Sequence, residues 1–137
     1  MTSLAFLSPG EHAGTEIGKV ELRGDVAAFD AERIVRLTPR RAVVLCDDAP
    51  ALVARARAAG LRAYDLTGAL TEIGIEGDAL LRRLTDVEIG GPTAAPVARG
   101  VQALVFPLGG ERYDLYVPQE LSRYVTEVVR DLGEGLA

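Results

Sequence analysis

The sequence has little of the two residue types that most readily bind metals or carry out nucleophilic chemistry: one cysteine, Cys46, and one histidine, His12. A single cysteine excludes an intramolecular disulfide, and its place at the end of the run AVVLC predicts a small buried side chain in a reducing compartment. His12 lies beside Glu11 in a polar segment, where a solvated histidine is expected. Neither residue has ligand partners at a recognisable spacing, so the sequence does not support a metal site or a histidine-based triad.

An excess of positive charge and long apolar runs are missing as well. The net charge is −5 with scattered arginines, which argues against unaided binding of nucleic acid or anionic membranes. No stretch approaches the roughly 18 apolar residues of a membrane span, and the opening MTSLAFLSPGEH has no basic leader. The 137 residues are 48% hydrophobic and 26% charged. We therefore expect a cytoplasmic protein with one domain over residues 1–137.

Strand and helix patterns in the first half are clear. KVELRG, Lys19–Gly24, alternates Val20 and Leu22 with charged residues, as a half-buried strand does. RIVRL and AVVLC flank the turn TPRR and predict a hairpin. DDAPALVARARAAG predicts a helix that ends at Gly60, with Leu52, Val53, Ala56 and Ala59 on one side.

The second half repeats the mixture of strands and helices. LRAYDL and LTEIGI predict strands around Thr67-Gly68, and Asp78 is expected to cap a short helix. The segment TDVEIGGPTAAPVARG predicts a loop, followed by a hairpin of VQALVF and YDLYV. A last helix carries an apolar face of Leu121, Tyr124, Val125, Val128, Val129 and Leu132. About seven short strands with packed helices predict an α+β fold with a mainly antiparallel sheet.

Three sequence features suggest a ligand site, and each has a simpler explanation. GEHAGTEIGKV resembles a phosphate-binding loop, but Ala13 and Val20 replace a required glycine and hydroxyl residue. The pair Asp47-Asp48 is suited to a helix N-terminus as well as to acid-base catalysis. The pairs Arg40-Arg41 and Arg82-Arg83 are suited to an anionic ligand or to a solvated surface.

Four apolar or aromatic residues are candidates for a protein interface. Leu4 and Phe6 form an apolar patch unless this chain or a partner covers them. Tyr113 and Tyr116 lie on opposite faces of their strand, so one of them is expected to point away from the main core.

The segment from Ala63 onward resembles the first domain of the folate-dependent aminomethyltransferases, the glycine-cleavage T-protein group. The likeness is carried by four features: an Asp-Leu-Thr turn, a strand ending in glycine, an acidic-Ala-Leu helix and a Leu-Thr pair. The residues in these features are Asp65, Leu66, Thr67, Gly77, Asp78, Ala79, Leu80, Leu84 and Thr85. The later stretch from Arg99 to Gly133 continues it. The resemblance implies an α+β fold like the folate-binding domain of those enzymes.

Two departures distinguish this chain from the enzymes. Val101 and Gln102 occupy the positions of the acidic pair that includes the catalytic carboxylate, and those enzymes are at least about twice as long. A small relative with these features is the gamma subunit of heterotetrameric sarcosine oxidase, whose family is also similar in the SP segment and in ELRGD, Glu21–Asp25.

The resemblance implies a noncatalytic accessory subunit with no cofactor of its own. Its partners would be flavoprotein alpha and beta subunits and a small zinc-binding delta subunit, and FAD, FMN, NAD and tetrahydrofolate would be bound by those subunits. Such complexes demethylate sarcosine to glycine and pass on the one-carbon unit. The alternative is a free-standing folate-binding or aminomethyl-transfer protein, which the absence of the acidic pair disfavours.

Overall fold

The computed structural model describes residues 16–136, which form two compact units, residues 16–69 and residues 70–136. Eight strands and three α-helices make up these units, and all strand pairs are antiparallel. The predicted α+β fold is therefore confirmed. The strands form two four-stranded sheets rather than one, and whether the chain is a single domain stays a prediction.

The first unit contains one sheet and one helix. Its strands are β1 (Gly18–Arg23), β2 (Arg33–Thr38), β3 (Arg41–Cys46) and β4 (Arg62–Asp65), in the spatial order β2-β3-β1-β4. Helix α1 (Ala49–Ala58) packs on β1 and β4. The core between helix and sheet is formed by alternate strand residues and one helix stripe, including Val20, Leu22, Val44, Leu52 and Ala56.

The second unit contains the other sheet and two helices. Its strands are β5 (Leu70–Glu76), β6 (Thr93–Val97), β7 (Val101–Gly109) and β8 (Arg112–Pro118), in the order β5-β8-β7-β6. Helix α2 is Asp78–Leu84, and a 3₁₀ turn at Gln119–Leu121 leads into helix α3, Ser122–Glu134. Both helices contribute to one core with the sheet, including Ile73, Leu81, Leu115, Val125 and Val129.

Both predicted hairpins are present, as are the two strands predicted around Thr67-Gly68, but the expectation of a loop between α2 and β7 is wrong. The predicted loop contains β6, whose sequence TAAPV lacks the β-branched pattern of an ordinary strand. Pro96 is tolerated because β6 is the last strand in its sheet among the described residues. The strands on either side of Thr67-Gly68 pair with β1 and β8 respectively, so they belong to different sheets.

The helices begin and end near their predicted positions with differences in detail. Gly77, with φ +105°, precedes α2, so Asp78 is the first residue of the helix and not its cap. On α3, Val125 and Val129 are buried, whereas Tyr124 is exposed, as is Leu121 in the preceding 3₁₀ turn. Ala59 is likewise exposed at the end of α1. These helices bury a narrower stripe than the apolar spacing predicts.

Candidate functional site

Lys19, the only lysine in the sequence, is 2% exposed and is bound to the turn that follows β4. Its ammonium nitrogen donates to the carbonyl oxygen of Thr67 at 3.1 Å and forms an ion pair with Glu16 at 3.2 Å. Its backbone amide donates to Thr67 Oγ1 at 3.1 Å, and its carbonyl accepts from Leu66 N at 2.7 Å. The Asp-Leu-Thr turn thus holds strand β1 and the lysine in place.

The same turn is stabilised from within. The amide of Thr67 donates to Asp65 Oδ1 at 2.9 Å, an arrangement that favours a tight turn. The hydrogen bonds from Thr67 lower the pKa of the Asp65 carboxyl below its ordinary value. Lys19 belongs to the segment that resembles a phosphate-binding loop. In the structure its ammonium binds protein oxygens, those of Thr67 and Glu16, rather than being directed toward a phosphate site.

Glu21 is a second charged residue buried on β1, with 7% of its surface exposed. One carboxylate oxygen, Oε2, accepts from Arg23 Nε at 2.7 Å and from Arg41 Nε at 2.9 Å. Burial by itself raises the pKa of Glu21, but the hydrogen bonds and charges of the two arginines outweigh it and hold this pKa below its ordinary value. Of the charged residues that alternate with Val20 and Leu22, Lys19 and Glu21 are thus buried and Arg23 is exposed, so the prediction of a half-buried strand missed the burial of the first two.

Tyr113 is half-buried on β8 and binds the start of helix α2. Its hydroxyl donates to Asp78 Oδ1 at 2.5 Å, and the amide of Asp78 donates to Glu111 Oε1 at 3.1 Å. The hydrogen bond to Asp78 is the main reason why the pKa of Tyr113 is raised above its ordinary value. This tyrosine therefore stabilises the helix start while part of its ring faces the surface.

Tyr116 lies on the opposite face of β8, as the alternation predicts, but it is only 1% exposed. Its hydroxyl donates to Glu72 Oε1 at 2.8 Å, and its ring meets that of Phe106 edge-on at 5.6 Å between centroids. Of the two tyrosines predicted at an interface, Tyr113 presents surface and Tyr116 does not. Leu4 and Phe6 lie outside the described residues, so the interface stays a prediction.

The acidic pair before α1 acts as a helix start. Asp48 is the N-cap, and its Oδ1 accepts from the amide of Ala51 at 3.0 Å. Asp47 is fully exposed, with one oxygen 3.8 Å from an Arg33 nitrogen. This geometry fits the interpretation of the pair as a helix start.

The two arginine pairs differ in their surroundings: the members of the first pair point to different places, and both members of the second pair are exposed. Arg40 lies in the β2–β3 turn, whereas Arg41 points to Glu21. Arg82 and Arg83 are exposed in the last turn of α2, where positive charge is favourable. At the start of β7, Val101 is half-buried and Gln102 is exposed, so no carboxylate occurs at those two positions.

Cys46 is half-buried, and desolvation raises the pKa of its thiol, which disfavours a nucleophilic thiolate. His12 is outside the described residues. Within residues 16–136, no three His, Cys, Asp or Glu side chains are placed to hold a metal ion. None of the helices in this range is long and apolar enough to cross a membrane.

Among the grooves on the surface of residues 16–136, two contain charged side chains. A groove of about 410 Å³ between β5 and α3 is lined by Glu72, Arg123, Glu127 and Arg130 among others. The other, about 260 Å³, lies beside Phe29, over whose ring the Arg55 guanidinium sits at 4.6 Å. Neither groove is lined by a residue that the sequence analysis proposed for a ligand site or an interface.

The contacts of Lys19 with Thr67 and of Glu21 with Arg41 were missed because they join residues 48 and 20 positions apart. Thr67 had been selected through the Asp-Leu-Thr motif, and Lys19 could have been noticed as the only lysine among 15 basic residues. Together these contacts connect the strands of the first sheet to one another and to the turn after β4.

Comparisons with known proteins give a likeness of fold. No protein-family model matches the chain, and no curated protein is similar to it in sequence. Among solved structures, it resembles a chain of the heterotetrameric sarcosine oxidase from Corynebacterium sp. U-96, solved in complex with pyrrole 2-carboxylate. The TM-score is 0.72 at 13% sequence identity, and the match covers 96% of this chain and 94% of that chain.

Proposed function

We propose that this chain is a noncatalytic, gamma-type accessory subunit of a heterotetrameric, flavin-dependent sarcosine oxidase-like complex. The observation that carries the proposal is the mutual coverage of the fold match, 96% of this chain and 94% of the chain in the sarcosine oxidase. Two chains that cover each other so completely have similar lengths, so the likeness is to a whole short subunit and not to one domain of a large one. The complex would demethylate sarcosine to glycine.

The accessory role is supported by how the charged groups of the chain are used. Lys19, Glu21 and Asp48 are each engaged in contacts that hold a turn, a sheet or a helix start. Val101 and Gln102 offer no carboxylate where the resembling aminomethyltransferases have their catalytic one. We therefore assign flavin, nicotinamide and folate chemistry to partner subunits.

The partner surface that we propose includes Leu4 and Phe6 together with Tyr113. Tyrosine and phenylalanine are effective anchors at protein interfaces because they bury a large area at a small entropic cost. Tyr113 suits this role since its hydroxyl is already bound to Asp78 while its ring remains partly at the surface.

Purification of the tagged chain from its native cells tests the proposal. We expect proteins identified as flavoproteins to copurify with a visible flavin spectrum, and the preparation to produce hydrogen peroxide when sarcosine is added. The same chain isolated alone should show neither. Recovery of the tagged chain without flavin or sarcosine-dependent activity would contradict the subunit assignment.

Calorimetry with tetrahydrofolate distinguishes the alternative function. The isolated chain should bind it weakly or not at all. A dissociation constant of about 1 μM or lower, equivalent to about −8 kcal/mol, would favour a free-standing folate-binding or aminomethyl-transfer protein.

An interface variant tests the proposed contact surface. Leu4→Ser/Phe6→Ser should copurify poorly with the flavoprotein yet melt near the parent temperature when alone, because truncated anchors commonly cost about 2 kcal/mol of binding. A large loss of intrinsic stability would show instead that these side chains belong to the core of this chain.

A further inference from the structure

Three arginines form a row across neighbouring strands of the first sheet. In the antiparallel register, Arg23 on β1 is paired with Arg41 on β3 and with Arg62 on β4. Directly paired residues of antiparallel strands point to the same face, and adjacent strands lie about 4.8 Å apart. The row therefore extends about 10 Å across one face of the sheet.

A single carboxylate accompanies this row. Glu21 accepts hydrogen bonds from Arg23 and Arg41, both through Oε2, and it is buried beneath them. Arg62 forms no ion pair with any residue in the described part of the chain. Three positive charges against one negative charge leave this surface positive in a chain whose net charge is −5.

The arrangement is unfavourable for the isolated chain. Like charges directly opposite each other on adjacent strands are destabilising, and here two such pairs share Arg23. Glu21 and the ring of Tyr64, 5.6 Å from the Arg23 guanidinium carbon, offset part of this repulsion. An arrangement of like charges that lowers stability without an evident compensating gain is expected at functional surfaces.

The guanidinium groups are accessible to a partner. The side chains of Arg23 and Arg41 are 44% and 46% exposed, and Arg62 is exposed as well. Each of the two Glu21 contacts uses only an Nε donor, so the paired terminal nitrogens can meet a carboxylate in the two-bond geometry that arginine favours.

We propose that the row Arg41–Arg23–Arg62 binds an extended acidic segment of a partner protein. In such a segment, carboxylates two residues apart point to the same side about 7 Å from each other, which fits within the row. Neither groove described above contains any of the three arginines, and a small anion is bound more often in a concave site than on a flat sheet. Nucleic acid is disfavoured because the rest of the chain is acidic.

Fluorescence anisotropy with a fluorescein-labelled (Glu-Ser)₄ peptide tests this inference, and it does not depend on the proposed membership of an oxidase. The isolated chain should bind the peptide at low salt and should not bind a (Gln-Ser)₄ peptide. Arg41→Gln/Arg62→Gln should weaken binding about tenfold or more, because two charge-assisted contacts are lost. Arg62→Gln alone should weaken it about threefold while leaving Glu21 with both of its arginines.

The control is Arg82→Gln/Arg83→Gln, which removes the same charge from an exposed helix end. It should leave the affinity within about twofold of the parent. Equal weakening in this control, or no peptide binding at all, would refute the inference. Displacement of the peptide by pyrophosphate at the same total concentration of negative charge would identify a small-anion site instead. Tighter binding of oligothymidylate than of the peptide would identify a nucleic-acid surface.

Discussion

The ammonium nitrogen of Lys19 lies 3.1 Å from the carbonyl oxygen of Thr67, a residue 48 positions further along the chain. With the backbone contacts between the same two residues and Leu66, it connects the start of β1 to the turn after β4. A fully buried lysine is uncommon unless it is paired, and Glu16 supplies the opposite charge.

Amine-specific labelling measures this burial directly, because Lys19 is the only lysine. We expect intact-mass analysis after brief acetylation to show modification of the α-amino group alone in the native protein and of both amines in denaturant. Reaction of Lys19 requires the turn to open, so its rate reports local opening. Equal rates in native and denaturing buffer would show that the ammonium is exposed.

Lys19→Met keeps the length and apolar stem of the side chain and removes its charge. We expect a loss of about 1–3 kcal/mol in the free energy of unfolding, because the Thr67 carbonyl and Glu16 lose their donor. Urea denaturation gives this value. Arg82→Met, at an exposed position, provides the comparison and should change stability by no more than about 0.5 kcal/mol. A change as small as this for Lys19→Met would contradict a role of Lys19 in holding the turn.

Local patterns predicted the elements well and the connections between distant residues poorly. The β2–β3 hairpin was predictable because β-branched runs flank Pro39, and α1 because Asp48 and Gly60 mark its ends. In contrast, β6 contains Ala94, Ala95 and Pro96, and it forms a strand because it pairs with β7. Tertiary pairing there overrides intrinsic propensity.

The candidate site illustrates the same limit. Alternation along β1 identified Val20 and Leu22 as core residues, but it placed Lys19 and Glu21 on a solvated face. Their burial depends on Thr67, Arg41 and other partners that no local period can identify. Likewise, the row of Arg23, Arg41 and Arg62 exists only in the pairing register of three strands.

The hydrogen bond between Tyr113 and Asp78 predicts an effect of pH. Because Asp78 raises the pKa of Tyr113 in the folded state, the contact stabilises the protein below about pH 10 and this contribution is lost as the pH rises through the folded-state pKa. The difference between the spectrophotometric titrations of the parent and of Tyr113→Phe isolates this phenol, and it should show a late ionisation. In Asp78→Asn, the ionisation isolated in the same way should move to lower pH. An unaltered titration curve in Asp78→Asn would refute the assignment, and Glu120→Gln serves as the control for charge removal.

The turn between β6 and β7 predicts a stabilising substitution. Ala98, Arg99 and Gly100 all have positive φ, at 45°, 68° and 96°, and the amide of Gly100 donates to the Val97 carbonyl at 3.0 Å. Such a turn favours glycine or asparagine, because a β-carbon is strained in this conformation. Arg99→Gly should therefore raise the free energy of unfolding by up to about 1 kcal/mol, and Arg99→Val should lower it. Thermal melts that rank the two variants in the opposite order would contradict the turn geometry.

Val125 on α3 predicts the largest effect on stability. It is fully buried in the core that α3 forms with Ile73, Leu81 and Leu115. Val125→Asp places a carboxylate in that core, and we expect a loss of about 3 kcal/mol or more at neutral pH, measured by urea denaturation. The neighbouring Tyr124 is exposed, so Tyr124→Asp should cost about 0.5 kcal/mol or less.

The loss in Val125→Asp should also depend on pH. Burial would raise the pKa of the new carboxyl above its unfolded value of about 3.9, because the neutral acid is less costly to bury than the carboxylate. The difference in unfolding free energy between Val125→Asp and the parent should therefore shrink as the pH falls toward that value. A deficit that stays constant with pH would mean that lost packing, and not buried charge, destabilises the variant, and equal losses in the two variants would show that this face of α3 is not the buried one.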